Sequence, residues 1–240
     1  MSTVVLVHGA AMDGSMWRYQ ADALTRAGFT SIAVDLPGHG GSEGEPSSSA
    51  KGYAGWLLAY LALLGEPAHL VGHSMGALVV LEAAAARPDL VRSVALLGVA
   101  DPMPVNPDFL AGAAEGNLTT FATMGKWMHA RTPIGDPEWT VDNTVPILQR
   151  ARPGVAHADL TACNTHPGAA SVAAGISVPI LLILGEQDLM TRPSAAEPIA
   201  AAAVDAKTVI VKGAGHLLPV ERPEVVNETL VGFLEKVDGE

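Results

Sequence analysis

The sequence predicts an α/β fold, in which a mostly parallel sheet of about six strands is flanked by helices and carries an inserted helical cap. Short apolar runs alternate with segments of helical periodicity along most of the chain. Runs that are apolar throughout indicate strands buried on both faces, as in parallel sheets covered by helices. Residues 101–176 lack such runs and contain several prolines and glycines. We therefore expect a core formed by residues 1–100 and 177–240, interrupted by a cap formed by residues 101–176.

The order of the elements also predicts how the strands pair. The apolar runs that we interpret as strands are Thr3–Val7, Ser31–Val34, Ala68–Val71, Ser93–Val99, Pro179–Leu184 and Thr208–Val211. Helices are predicted in the segments Trp17–Ala27, Tyr53–Leu64, Ala77–Ala86 and about Pro223–Val237. Because a helix separates successive strands, neighbouring strands are expected to be parallel.

The composition is that of a globular chain with one sizeable core. Of the 240 residues, 49% are hydrophobic and 16% are charged. A formal net charge of −11, without a cluster of Lys and Arg, argues against nucleic acid or an anionic membrane surface as a partner. No apolar run reaches the length of a membrane span, and the first predicted strand begins almost at once. We expect no membrane span, no signal peptide and a cytoplasmic location, and a homodimer stays open.

The pentapeptide Gly72-His73-Ser74-Met75-Gly76 matches the pattern Gly-x-Ser-x-Gly and directly follows an apolar run. A serine in a tight strand-to-helix turn needs neighbours that let the backbone pass close by, and Gly72 and Gly76 provide that room. The next segment is rich in helix formers, so Ser74 would lie at a helix N-terminus, where free amides favour developing negative charge. The motif predicts a nucleophile elbow with Ser74 as the nucleophile.

A serine nucleophile needs a base, and His216 is the predicted base. It follows the last predicted strand in Gly213-Ala214-Gly215-His216, where small residues let a loop approach the elbow. His73 is next to the serine in sequence but is expected to point elsewhere. Surface or packing roles are favoured for the histidines in or near the cap, which are His129, His157 and His166.

The acid that orients the base is predicted to be Asp188. It lies in Gly185-Glu186-Gln187-Asp188, immediately after a predicted strand. The order Ser74, Asp188, His216 is the order of nucleophile, acid and base expected of this architecture. Asp101 is an alternative, because it follows the preceding strand and could reach the same imidazole from another loop.

Two backbone amides are needed for an oxyanion hole. One is expected from Met75, the residue after the nucleophile, and the other from the loop after the first strand. That loop, His8-Gly9-Ala10-Ala11, is called the oxyanion loop below. Ala10 is the predicted second donor, with Ala11 less favoured, and His8 is expected to support the loop.

The sequence argues against a bound cofactor or metal. The glycine-rich loop Asp35–Ser42 lacks the Gly-Lys-Ser/Thr ending of a phosphate-binding loop. Neither a His-Glu-x-x-His pattern nor paired cysteines occur in the sequence. Cys163 is the single cysteine, which excludes an internal disulfide and suits a reducing compartment. We interpret it as a buried or partly buried cap residue, not a thiol nucleophile.

Several motifs together resemble the α/β-hydrolase superfamily, in its serine esterase-like branch with a helical cap, over nearly the whole chain. They are His8-Gly9 followed by Trp17, Asp35–Ser42, Gly72–Gly76, Gly185–Asp188, and Gly213–His216 followed by Glu221-Arg222-Pro223. The resemblance implies a Ser-Asp-His triad, a cap over the active site and no cofactor. It also implies that the haloalkane dehalogenase and epoxide hydrolase branches, which use an aspartate nucleophile, are excluded by Ser74. The family commonly opens with two extra strands, so six strands are expected here in place of eight.

The predicted activity is hydrolysis of a small-molecule, apolar carboxylic ester through an acyl-enzyme. Predicted substrate contacts are Ala11, Phe121, Met124, Trp127, Met128 and Leu217. The alternative for the cap residues among them is packing within the cap. A lyase or carbon-carbon bond hydrolase on the same triad would be favoured by arginines facing the pocket, for which the cap offers Arg131, Arg150 and Arg152. A ligand receptor with slow turnover is the third possibility.

Overall fold

The computed structural model describes residues 1–131, 135 and 138–239. In this part of the chain, six strands form one sheet: β1 (Thr3–Val7), β2 (Thr30–Val34), β3 (Ala68–His73), β4 (Val91–Leu97), β5 (Ile180–Gly185) and β6 (Ala206–Val211). The strand order is β2-β1-β3-β4-β5-β6, and every neighbouring pair is parallel. The predicted fold class is confirmed.

The helices of the described residues are α1 (Arg18–Arg26), α2 (Ala50–Leu64), α3 (Met75–Ala86), α4 (Pro107–Glu115), α5 (Leu118–Met128), α6 (Val141–Leu148), α7 (Val155–Asn164), α8 (Ala169–Ala173), α9 (Glu197–Ala202), α10 (Leu218–Glu221) and α11 (Pro223–Gly239). Local sequence determines several of their ends. Ser49 caps α2 by accepting a hydrogen bond from the Gly52 amide, and Gly65 ends that helix in a left-handed conformation. Within the described ranges, no helix is long and apolar enough to cross a membrane.

The sheet is buried because helices cover both of its faces. Along β1, Val5 and Val7 pack in the cluster that includes α2 and α3, whereas Val4 and Leu6 pack in the cluster that includes α1 and α11. Successive side chains of a strand point to opposite faces, so a fully apolar strand fills two cores at once. This explains the continuous apolar runs in the sequence.

The segment between β4 and β5 contains five helices, α4 to α8, and no strand among its described residues. Helices α4 to α7 pack against one another, whereas α8 packs against α3 and α9 of the core. The helical layer over the sheet edge therefore ends before α8. The division into a core (1–100 and 177–240) and a cap (101–176) stays a prediction.

The topology brings the predicted site residues to one edge of the sheet. β1 lies between β2 and β3, so the order of the strands reverses at the β1/β3 pair. Ligands of open α/β sheets bind outside the carboxyl ends of the strands at such a point. The oxyanion loop follows β1, Ser74 follows β3, and the Asp188 and His216 loops follow β5 and β6.

Some strand boundaries differ from the predicted ones. β4 ends at Leu97, two residues before the predicted end, because Gly98 turns the chain away with a φ of 59°. β6 begins at Ala206, two residues earlier than predicted, since Lys207 pairs with Leu181 of β5 despite its charge. Charged side chains are tolerated there because β6 is an edge strand with exposed positions.

Gly76 offers a test of the packing between α3 and β1. A Cβ at Gly76 would overlap the carbonyl oxygens of Val7 and His8. We expect Gly76→Ala to lower the free energy of unfolding by about 1–3 kcal/mol, because the backbone must shift. Gly55 is the matched control: it lies in α2, and a Cβ added there would meet no atom within 4 Å. Gly55→Ala should therefore raise that free energy by about 0.5–1 kcal/mol. Urea unfolding measures both, and equal stabilities would contradict the packing argument.

Candidate active site

Ser74 lies in the tight turn between β3 and α3, with a φ of 54° and a ψ of −116°. A residue with a side chain is strained at positive φ and persists there only where its surroundings hold it. Part of that restraint is the hydrogen bond from the Ser74 amide to the Leu97 carbonyl, at 2.8 Å. A Cβ at Gly72 would overlap the backbone of Gly76 and Ala77, so the turn can close only with glycine there. Ser74 lines a cavity at the edge of the sheet.

His216 follows β6 in a loop that is tied to the cap. Its amide donates a hydrogen bond to the Met128 carbonyl at 2.8 Å. The preceding Gly215 amide donates to a carboxylate oxygen of buried Glu221 at 2.5 Å. These two bonds fix the backbone on which the imidazole is carried. The His216 side chain lines the same cavity as Ser74.

Asp188 contacts the imidazole of His216, with 2.8 Å between Asp188 Oδ2 and His216 Nδ1. The same carboxylate accepts hydrogen bonds from the amides of Met190 and Thr191, both at 2.8 Å, and from the Thr191 hydroxyl at 2.7 Å. Burial alone would raise the pKa of Asp188, but His216 and the Thr191 hydrogen bonds lower it below its ordinary value. The carboxylate therefore stays ionised beside the base.

Asp101, the alternative acid, lies elsewhere. Its carboxylate accepts hydrogen bonds from the amides of Ala169 at 2.8 Å and Ala170 at 3.1 Å. These amides belong to the first turn of α8, whose free N–H groups need acceptors. Asp101 thus accepts hydrogen bonds from amides at the N-terminus of α8. Asp188 is the aspartate in contact with His216.

The two predicted oxyanion donors lie beside Ser74, the predicted nucleophile. Met75 is the first residue of α3, so its amide has no acceptor within the helix. Ala10 lines the cavity together with Ser74. The amide of Ala11 donates to Asp159 Oδ2 at 2.8 Å and is therefore occupied. This arrangement favours Ala10 over Ala11 as the donor from the oxyanion loop.

Two further histidines lie close to the site but are buried. His73 Nε2 contacts the His216 carbonyl oxygen at 2.8 Å, and burial together with His216 lowers the pKa of His73 to about 3. His8 Nε2 accepts a hydrogen bond from the Leu36 amide, and His8 Nδ1 donates to the Gly9 carbonyl at 2.9 Å. Both rings stay neutral at neutral pH, and His8 supports the oxyanion loop.

The cavity is apolar and lies between the loops that follow the strands and the helices α4, α5 and α7. Of the predicted substrate contacts, Met124, Trp127 and Met128 line it. Its described lining also includes residues that the sequence did not suggest: Gly9, Met12, Met103, Pro104, Val105, Asn106, Phe109, Leu160, Cys163, Leu189, Met190 and Thr191. At its mouth, Trp127 is 40% exposed and Leu189 is 37% exposed.

Three predicted substrate contacts do not line the cavity. Ala11, Phe121 and Leu217 are buried in the apolar cluster beneath the site. Phe121 lies on α5, and Leu217 follows His216, where its amide donates to the Met128 carbonyl at 3.1 Å. These three assignments stay predictions that the described lining does not support.

The candidate arginines and histidines of segment 101–176 also lie outside the described lining. None of the described lining residues is an arginine. Arg152 donates hydrogen bonds to the carbonyls of Gly38 and Gly44, and so ties the cap to the loop after β2. The histidines that were predicted to have surface or packing roles contact Thr144 and Glu221 (His129), the Leu110 carbonyl (His157) and Glu82 (His166).

Two polar residues next to the site were not predicted. Thr191 bridges Asp188 and His216, with its hydroxyl 3.1 Å from His216 Nδ1. The spacing of an aspartate and a threonine three residues later is a known local hydrogen-bonding pattern and could have suggested this contact. Asp159 contacts the oxyanion loop from α7, across 148 positions of sequence, and no local signal indicates it.

Comparison with known proteins identifies the family. A sequence profile described as the alpha/beta hydrolase family matches residues 4–229. The chain belongs to this family. This match confirms the resemblance to the α/β-hydrolase superfamily that the motifs indicated.

The relatives of this alpha/beta hydrolase include named carboxylesterases. Carboxylesterase YbfK of Bacillus subtilis (strain 168) is 30% identical, over 97% of this chain and 80% of that protein. A protein of the same organism named uncharacterized carboxylesterase nap is 29% identical, over 98% of this chain and 80% of that protein. The structure is similar to that of a thermophilic esterase from Thermogutta terrifontis, with a TM-score of 0.88 and 25% identity over 99% of this chain and 90% of that chain.

The buried histidines predict a pH dependence of stability. Burial, followed by the charge of His39, lowers the pKa of His8 to about 4, whereas an unfolded histidine titrates near about 6.5. Below a pH of about 6.5, His8 binds a proton in the unfolded chain but not in the folded protein. The free energy of unfolding should therefore fall as pH falls. The slope is about 1.4 kcal/mol per pH unit for each such proton, until pH reaches the folded pKa.

Urea unfolding between pH 7.5 and 4.5 measures this slope, at values chosen around the ordinary histidine pKa of about 6.5. His8→Gln should reduce this slope by up to about 1.4 kcal/mol per pH unit, the contribution of one proton, because Gln does not titrate. His157→Gln, at an exposed position, is the matched control for the substitution itself. A His8→Gln slope equal to that of the wild type would contradict the neutral, buried state of His8.

Proposed function

We propose that this alpha/beta hydrolase is a carboxylic ester hydrolase that works through an acyl-enzyme, with Ser74 as nucleophile, His216 as base and Asp188 as orienting acid. The observation that carries the proposal is the 2.8 Å contact of His216 Nδ1 with Asp188 Oδ2, in a cavity that Ser74 also lines. A nucleophile, a base and an acid that orients the base are the parts that acyl transfer requires. The carboxylesterase names of its relatives support the same reaction class.

In the first step, Ser74 Oγ attacks the carbonyl carbon of the ester while His216 takes the hydroxyl proton. A carboxylate only accepts hydrogen bonds, so the contact with Asp188 places the imidazole proton on Nδ1 and leaves Nε2 as the basic atom. The ionised Asp188 then stabilises the imidazolium that forms. Thr191 holds the carboxylate in place through its amide and its hydroxyl.

The carbonyl oxygen of the ester becomes negatively charged in the tetrahedral intermediate. The amides of Met75 and Ala10 are the proposed donors to this oxygen. Met75 adds the favourable dipole of the α3 N-terminus, because its N–H group is one of the free amides there. Ala10 is the cavity-lining residue of the oxyanion loop whose neighbour, Ala11, already donates to Asp159.

The intermediate collapses when the carbon-oxygen bond to the alcohol breaks and the His216 imidazolium donates its proton to the leaving oxygen. The acyl group is then bonded to Ser74. A water molecule repeats the sequence: His216 removes its proton, the water oxygen attacks the acyl carbon, and Ser74 leaves with the proton returned by His216. No redox change or external proton acceptor is required.

The cavity supports an apolar substrate. Its described side chains include methionine, leucine, phenylalanine and tryptophan, and Phe109 and Trp127 pack edge to face with 5.1 Å between ring centroids. Methionine side chains are flexible and adapt to groups of different shape. The absence of an arginine from the described lining offers no support for an anionic substrate of a lyase or a carbon-carbon bond hydrolase.

Ser74→Ala tests the nucleophile. We expect the variant to fold and to lose turnover of p-nitrophenyl esters by about 10⁴-fold or more, because it lacks the hydroxyl of the proposed nucleophile. The rates should be measured with p-nitrophenyl acetate and butyrate, together with a circular dichroism spectrum. Retained turnover by a folded Ser74→Ala protein would refute the proposed mechanism.

Asp188→Asn and Asp101→Asn compare the two candidate acids. Asp188→Asn should lower kcat by about 10³- to 10⁴-fold, because an amide can favour the wrong imidazole tautomer. Asp101→Asn is the matched control and should lower the free energy of unfolding by about 0.5–2 kcal/mol through weaker capping of α8, with little change in kcat. A larger loss of kcat in the Asp101 variant would reverse the assignment of the acid.

A further inference from the structure

A carboxylate with no exposure to solvent links the cap to the core. Asp159 lies on α7, and its side chain is 0% exposed. Its Oδ2 accepts a hydrogen bond from the Ala11 amide at 2.8 Å and lies 2.8 Å from His39 Nε2. Its Oδ1 accepts a hydrogen bond from the Tyr53 hydroxyl at 2.5 Å. All three partners belong to the predicted core. The carboxylate of a predicted cap residue is therefore hydrogen-bonded by core residues.

The stability of the fold gives no sufficient reason for this buried charge. Moving a carboxylate out of water is costly, and apolar side chains often replace a buried ion pair without loss of stability. Burial alone would lower the pKa of His39, but the hydrogen bond and charge of Asp159 raise it above its ordinary value. Asp159 thus favours a protonated His39, which balances its own charge.

The position of Ala11 indicates what the carboxylate does. Ala11 has a φ of 55°, a conformation that is unfavourable for a residue with a Cβ and that persists only under restraint. The hydrogen bond from its amide to Asp159 supplies that restraint. It fixes the peptide group that joins Ala10 to Ala11, and this group directly follows the Gly9–Ala10 peptide group that carries the proposed oxyanion donor, the Ala10 N–H.

The other end of the oxyanion loop is connected to the same cluster. The His39 ring contacts the His8 ring, with 4.6 Å between centroids. His8 Nδ1 in turn donates to the carbonyl oxygen of Gly9 at 2.9 Å. Asp159 therefore restrains the loop directly at Ala11 and through two histidine rings at Gly9.

We propose that Asp159 is a positioning residue through which the cap holds the oxyanion loop in its active conformation. This inference rests on the proposed function, because it treats the Ala10 amide as an oxyanion donor. The oxyanion exists only during the reaction, so loss of Asp159 weakens the binding of the transition state more than the binding of the substrate. The cap then contributes to the rate of the reaction as well as to the binding of the substrate.

Asp159→Leu tests the proposal by removing the acceptor while keeping a side chain of similar size. We expect kcat for p-nitrophenyl butyrate to fall by about 10²-fold, with KM changed by less than about threefold. The affinity for a trifluoromethyl ketone, whose adduct carries an oxyanion, should fall in parallel with kcat/KM. Hydrogen exchange of the Ala11 amide should become faster, and this readout does not depend on catalysis.

Asp159→Asn and Tyr53→Phe are the matched controls. The amide oxygen of Asn can still accept a hydrogen bond from the Ala11 amide. The kcat of Asp159→Asn should therefore be about tenfold or more above that of Asp159→Leu. Tyr53→Phe removes a donor to the same carboxylate without touching the oxyanion loop and should keep kcat within about threefold of the wild type. If Tyr53→Phe lost as much kcat as Asp159→Leu, the effect would come from general packing of the cap, and the proposal would be wrong.

Asp159→Glu covers the case in which the Leu variant does not fold, because it keeps the charge opposite His39 but displaces the acceptor by one methylene. Faster exchange at Ala11 with a lower kcat would support the proposal, and unchanged values of both would overturn it. Ser74→Ala separates the two hypotheses. Turnover that survives Ser74→Ala overturns the proposed function, whereas turnover that Ser74→Ala abolishes and Asp159→Leu leaves unchanged overturns only the role of Asp159.

Discussion

The positive φ of Ser74 is the constraint on which the rest of the site depends. The turn can adopt it because Gly72 and Gly76 let α3 start against β1, with no side chain between the backbones. That close approach brings the N-terminus of α3, with the Met75 amide, next to the oxyanion loop that follows β1. The position of the nucleophile and the separation of the two proposed oxyanion donors therefore have one physical cause, which is the absence of Cβ atoms at the crossing of a helix and a strand.

Backbone groups of the predicted cap form hydrogen bonds that position the loops of the site. The Met128 carbonyl accepts the His216 amide, and buried Glu221 accepts the amides of both Ala130 in the cap and Gly215 in the core. The bond between the His216 amide and the Met128 carbonyl fixes positions more tightly than contacts between long side chains, because few rotatable bonds separate two backbone groups. The loop that carries the proposed base and the helix layer that lines the cavity must therefore move together, and a substrate that displaced α5 would also displace the base.

The sequence predicted the sheet and the motif residues because their signals are local. Fully apolar runs indicated buried strands, and glycines at fixed spacing indicated the elbow, since both patterns follow from the geometry of a few adjacent residues. The end of β4 was missed because one glycine with a positive φ stops the strand inside an apolar run. Whether a residue of α4 to α7 lines the cavity depends on which face of its helix meets the core, and the sequence alone does not define that face. Met124 and Phe121 lie on the same helix, yet only Met124 reaches the cavity. Asp159 was not predicted, because only the tertiary fold brings it to the oxyanion loop, 148 positions away in sequence.

Solvation and partners, not residue type, determine which histidine can act as a base. Burial holds the pKa of His73 at about 3 and that of His8 at about 4, so neither ring can accept a proton at neutral pH. His216 has a different partner, because its Nδ1 contacts the Asp188 carboxylate, whereas His73 contacts a backbone carbonyl. The neutral state of His73 also matters for His216, since the two ring centroids are 4.7 Å apart. A second positive charge at that distance would oppose the imidazolium of the proposed mechanism, and the neutral state of His73 avoids this repulsion.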